Sequence, residues 1–114
     1  FENYSGIEFY VSSEATSIIS VQADAPYRSY IPKEKPYFLI DKNGGITERE
    51  TYLNGYISIP AGFEGTVRIP FDSFEAYDAG TAFEASEFSD LYFSFADGYG
   101  KYGKLYIDSL KAYK

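Results

Sequence analysis

The strongest constraint on this chain is alternation: apolar residues recur at every second position in one short segment after another. Residues 6–11 put Ile7, Phe9 and Val11 on one face and Glu8 and Tyr10 on the other. Residues 17–23 set Ile19, Val21 and Ala23 against Ile18, Ser20 and Gln22. Residues 65–71 place Val67, Ile69 and Phe71 inward and Arg68 outward. Residues 90–96 oppose Leu91, Phe93 and Phe95 to Tyr92 and Ser94, and residues 104–113 oppose Leu105 and Ile107 to Tyr106 and Asp108. A chain patterned this way has to bury one face of a sheet and wet the other.

Turn chemistry punctuates the pattern. The apolar run 37–40 leads into Asp41-Lys42-Asn43-Gly44-Gly45, a strong hairpin signal. Residues 46–53 read as the returning strand at a solvated edge. Asn54-Gly55 marks a second tight turn before residues 56–59. Pro26, Pro32 and Pro36 bracket residues 27–31, which are expected to form at best an edge strand or a loop. Helical spacing is nearly absent; residues 72–89 read as a long connection with one short helical turn near 86–89. The expected fold is therefore all-β, a single domain spanning 1–114: a sandwich or barrel of about eight strands with little or no helix. A chain of 114 residues is large enough to bury a core without staples, and 45% hydrophobic content supports that.

Composition narrows the chemistry. The chain has no His, Cys, Met or Trp. Ser-His and Cys-His nucleophilic arrangements are therefore impossible, and no disulfide framework exists. No glycine-rich phosphate loop opens a helix. With 17 acidic residues, chance carboxylate pairs are plentiful and identify no glycosidase centre. The expectation is a protein that is not an enzyme. The net charge of −7 disfavours nucleic acid and anionic lipid as partners. No apolar run approaches the ~20 residues of a membrane span, so no membrane insertion is expected. The chain begins at Phe1, without a leader, and reads as a piece excised from a larger exported protein.

The segment Ile57-Ser58-Ile59-Pro60-Ala61-Gly62-Phe63-Glu64-Gly65-Thr66-Val67-Arg68-Ile69-Pro70-Phe71-Asp72-Ser73-Phe74 is distinctive, as is the closing run Tyr106-Ile107-Asp108-Ser109-Leu110 with Tyr113. With the Leu91–Phe95 strand between them, these stretches resemble galactose-binding-like jelly-roll domains of secreted bacterial proteins, similar to carbohydrate-binding modules of the family 11 type. The resemblance covers roughly residues 55–114 well and the first half loosely. It implies a jelly-roll β-sandwich of two antiparallel sheets; because only five residues precede Gly6, either its first strands are trimmed or another part of the chain fills that edge. It also implies a non-catalytic, extracellular or cell-surface module that tethers a larger protein to a polysaccharide or glycoconjugate. Expected partners are that glycan and neighbouring domains of the same protein, with the module itself a monomer.

A pyranose ring stacks its C–H face on an aromatic ring and needs fixed donors and acceptors for its hydroxyls. The polar halves of the strands supply such a set: Tyr10, Tyr56, Arg68, Tyr92, Ser94, Tyr106 and Asp108. The competing reading is an ordinary solvated sheet face rich in Tyr for β propensity and cross-strand pairing. Asp108 has a structural reading of its own, bonding turn backbone or pairing with Arg68. A second cluster falls in presumed loops: Tyr27, Arg28 and Tyr30 with Tyr99, Lys101 and Tyr102. No cofactor is expected. Asp41, Asn43, Asp72, Asp78, Asp90 and Asp97 offer loop oxygens for a structural calcium, but Asp41–Gly45 lacks the twelfth-position Glu of a calcium loop and fits a hairpin turn better.

Overall fold

The alternating segments become strands, and Ile7, Phe9, Val11, Ile19, Val21, Ala23, Val67, Ile69, Leu91, Phe93, Leu105 and Ile107 pack inward. The computed structural model describes residues 5–24, 28–52, 55–76, 90–95 and 105–114. Ten strands run through them: β1 (Gly6–Ser13), β2 (Ser17–Asp24), β3 (Arg28–Tyr30), β4 (Pro36–Asp41), β5 (Ile46–Glu50), β6 (Ile57–Ile59), β7 (Glu64–Pro70), β8 (Glu75–Ala76), β9 (Asp90–Phe95) and β10 (Leu105–Tyr113). All pairings are antiparallel, in two sheets. The first sheet has the order β10-β1-β7-β4-β5. In the second, β2 carries β9 on one edge and β6 and β3 on the other, with β8 beyond β3. The fold is a two-sheet β-sandwich.

Two details depart from the sequence reading. Residues 28–30 are not an edge: β3 pairs with β2 on one side and β8 on the other. Pro26 and Pro32 flank this strand without interrupting it, so its amides stay available to both neighbours. The only helical turn among the described residues is a 3-10 turn at Phe71–Ser73. The turn expected near 86–89 lies outside the described residues.

The core sits between the sheets. Ile7, Phe9, Val11, Leu39, Val67 and Ile69 from the first sheet meet Ile19, Val21, Ala23, Ile57 and Ile59 from the second, all of them buried. Each of these side chains larger than Ala23 contributes roughly 1.5–3 kcal/mol before entropy is counted. Phe9 meets Phe93 edge-on across the layer, with ring centroids 5.0 Å apart at 69°. Tyr37 is buried, yet its polar end is satisfied: its hydroxyl accepts from the Ser58 amide at 3.0 Å and donates to the Ser58 carbonyl at 3.3 Å. That exchange ties β4 in one sheet to β6 in the other.

The two edges of the first sheet are built differently. β5 is almost wholly exposed, and Glu48, Arg49 and Glu50 give it charges that discourage a further strand from pairing. β10 carries a bulge. Glu8 faces Lys111 and Tyr10 faces Asp108, so Ser109 and Leu110 together oppose Phe9, and Ser109 takes φ +55° to allow it. The extra residue changes which side chains look outward. Before the bulge these are Tyr106 and Asp108; after it they are Lys111 and Tyr113.

Candidate functional site

Cross-strand register arranges the outer face of the first sheet in rows. One row reads Lys111, Glu8, Arg68, Phe38, Glu48 across all five strands. The next reads Asp108, Tyr10, Thr66, Ile40, Ile46. On the other side of the first row, Tyr113 stands opposite Gly6, which in turn faces Pro70. Gly6 is required there. A Cβ at this position would collide with the Ile69 carbonyl oxygen and meet Tyr113 Cε1 at 2.8 Å, so the tyrosine ring lies across the glycine.

Arg68 organises the centre. Its Nε donates to Glu8 Oε1 at 3.2 Å, and its guanidinium sits 4.9 Å from the centre of the Tyr113 ring. Glu8 is the more enclosed partner, with its side chain only 13% exposed against 39% for Arg68. Among the described residues, Arg68 makes no hydrogen bond through its two terminal nitrogens. Burial pushes the Tyr113 hydroxyl above the ordinary 10.0; Arg68 opposes the shift and Glu8 adds to it. Phe38, Ile40, Ile46, Arg68 and Tyr113 line an open hollow of about 220 Å³. That is smaller than the roughly 300–1,000 Å³ of a pocket for a drug-sized ligand. It suits a single ring or side chain. At the far end of the face, Lys42 Nζ donates to Glu64 Oε2 at 2.8 Å, and that bond raises the lysine pKa and lowers the glutamate's.

The set of candidate ligand residues is divided between surfaces. Tyr10, Arg68, Tyr106 and Asp108 lie on the outer face of the first sheet. Tyr92 and Ser94 lie on the outer face of the second, because β9 bonds to β2. Tyr56 belongs to neither row. It forms an isolated bridge with Tyr52 at the start of β6, the two rings 6.4 Å apart. Alternation fixes which side of a strand is wet but not which sheet the strand joins. Asp108 does not pair with Arg68. Its Oδ1 accepts from the Ser109 amide at 2.7 Å and its Oδ2 from the Tyr106 hydroxyl at 3.3 Å, so it props the bulge while Glu8 takes the arginine.

The sequence reading did not gather Glu8, Phe38, Ile40, Ile46 and Tyr113 into a site. Glu8 was legible as an outward residue, and Phe38 and Ile40 were hidden inside an apolar run. Tyr113 comes to this face only through the bulge. Of the second expected cluster, Arg28 and Tyr30 lie on the strand β3 and not in a loop, facing outward beside Tyr92. Tyr27, Tyr99, Lys101 and Tyr102 lie outside the described residues, as do Asp78 and Asp97.

For a cation, the described residues hold no group of three acidic side chains. Asp41 Oδ1 instead accepts from the Asn43 and Gly45 amides at 2.9 Å each, as a hairpin turn needs. Among the described residues, no helix is long and apolar enough to cross a membrane. No family model, curated protein or solved structure matches this chain.

Proposed function

We propose that the chain is a non-catalytic carbohydrate-binding module of an exported bacterial protein, of galactose-binding-like jelly-roll type, and that it holds a saccharide on the outer face of the first sheet. The observation that carries this reading is the Arg68–Tyr113–Glu8 trio at the rim of the hollow. Tyr113 and Phe38 offer apolar surface to the C–H face of a ring. Arg68 offers terminal N–H donors to its hydroxyls, held in position by Glu8. Because Glu8 balances Arg68, a neutral sugar fits better than an acidic one.

A glycan array read at millimolar sensitivity tests this. Binding to at least one neutral glycan is expected, lost in Tyr113→Ala and Arg68→Ala. Tyr106→Ala, beyond the hollow, should weaken binding less. A silent array, or binding indifferent to both substitutions, rejects the site.

A second reading has one observation in its favour. The hollow has Phe38, Ile40 and Ile46 in its lining, and Ile46 is 64% exposed. An apolar side chain of a neighbouring domain would fit there, making this a structural or interaction module with no sugar ligand. In that case Ile46→Ser disrupts docking of the adjoining domain while the array stays silent.

A further inference from the structure

The second sheet also has an outer face, and its register puts polar and aromatic residues in rows. Across β9, β2, β3 and β8 one row reads Tyr92, Gln22, Tyr30, Glu75. Strands lie about 4.8 Å apart, so the two tyrosines are about 10 Å apart with an amide between them. On one side runs the pair Ser94–Ser20, and on the other Asp24–Arg28. The aromatic row is therefore flanked on both sides by donors and acceptors.

The bonds within this face fix its geometry. Arg28 Nε donates to Asp24 Oδ1 at 2.7 Å and its Nη1 to Gln22 Oε1 at 3.3 Å. The Tyr92 hydroxyl donates to Asp24 Oδ2 at 3.3 Å. The guanidinium lies 4.7 Å from the centre of the Tyr92 ring. These contacts hold the ring in place while Tyr92 stays 42% exposed. Asp24 neutralises Arg28, and Glu75 together with the chain's charge of −7 turns polyanions away.

We propose that this face is a second saccharide site, one that takes an extended, uncharged glycan chain laid across the strands along Tyr92, Gln22 and Tyr30. The proposal rests on the saccharide-binding reading above. It differs in where and how the ligand sits. The hollow on the first sheet takes a single ring, whereas this row advances by roughly one sugar ring per strand spacing. Facing opposite ways, the two sites bind separate chains, so the module links two glycan strands instead of gripping one more tightly.

The test is a titration of the isotope-labelled protein with cellohexaose, xylohexaose, mannohexaose and laminarihexaose, following backbone amide shifts. With at least one of these, amides of Gln22, Arg28, Tyr30 and Tyr92 should move, as should those around Arg68 and Phe38. Tyr92→Ala or Arg28→Ala should weaken the first response by about tenfold or abolish it, leaving the second intact. Shifts confined to the Arg68 face overturn this proposal and leave the main reading standing. Shifts confined to the Tyr92 face keep this proposal and reject the first site. Silence on both faces overturns both.

Discussion

The two outer faces carry the same trio, an arginine over a tyrosine ring and bonded to a carboxylate, but they assemble its ion pair differently. On the second sheet, Asp24 and Arg28 are four residues apart and face each other across neighbouring strands of one connection. On the first sheet, Glu8 and Arg68 are sixty residues apart, and Tyr113 arrives from the last strand. On the second sheet the arginine–carboxylate pair is local and more exposed, while Tyr92 arrives from β9, 68 residues from Asp24. On the first sheet the carboxylate is more enclosed, and the trio depends on a glycine and a bulge to admit its ring. An ion pair built from distant strands is more sensitive to backbone change than one built within a single connection.

Six substitutions, one deletion and a pH scan would break or sharpen this contrast. Phe9→Ala should cost the most, about 3–5 kcal/mol, because Phe9 is fully buried and meets Phe93 across the layer. Chemical denaturation reads the loss, and both faces should loosen together. Gly6→Ala should cost about 1–3 kcal/mol through the close contact with the Ile69 carbonyl. Its amide spectrum should change around Arg68 and Tyr113 and stay unchanged around Gln22 and Arg28. An equal disturbance on both faces would refute their independence.

Ser109→Gly should stabilise by up to about 1 kcal/mol by relieving the left-handed backbone, partly offset by glycine's freedom in the unfolded chain. Deleting Ser109 outright should remove the bulge, turn Tyr113 away from Arg68 and abolish ligand response on that face alone. Arg28→Ala should change stability by no more than about 1 kcal/mol, as exposed ion pairs do. Arg68→Ala, which leaves the more enclosed Glu8 without its partner, should cost more than that in the same melt. The smallest effect concerns the Tyr113 hydroxyl, whose folded pKa lies above 10.0. Its contribution is present below pH 10 and is lost as pH rises through the folded value, because the unfolded chain loses that proton first. Tyr113→Phe should flatten the stability curve in that alkaline window and nowhere else.

Much of the fold was legible along the chain. Ile7, Phe9, Val11, Ile19, Val21, Ala23, Val67 and Ile69 were each readable as inward-facing, and all are buried. The turn at Asp41–Gly45 was equally plain, since an aspartate that binds its own following amides and two glycines leave few other options. The short strands β3 and β8 were not, because two or three residues are too few to show a period. The site was legible only in part. Arg68 could be read as outward, but its bond to Glu8 could not, and Asp108 looked an equal partner.

What the sequence determined by itself was the side of each strand, because side chains alternate with a period of two regardless of what the strand pairs with. What only the tertiary structure decided was which strands share a sheet, and so which outward residues meet. That choice separated Tyr92 and Ser94 from Arg68. It brought Arg28 to Tyr92, and it delivered Tyr113 to Glu8 and Arg68 through one extra residue in β10. Pairing between distant strands is set by the packing of the whole core, and no local window of the chain carries that information.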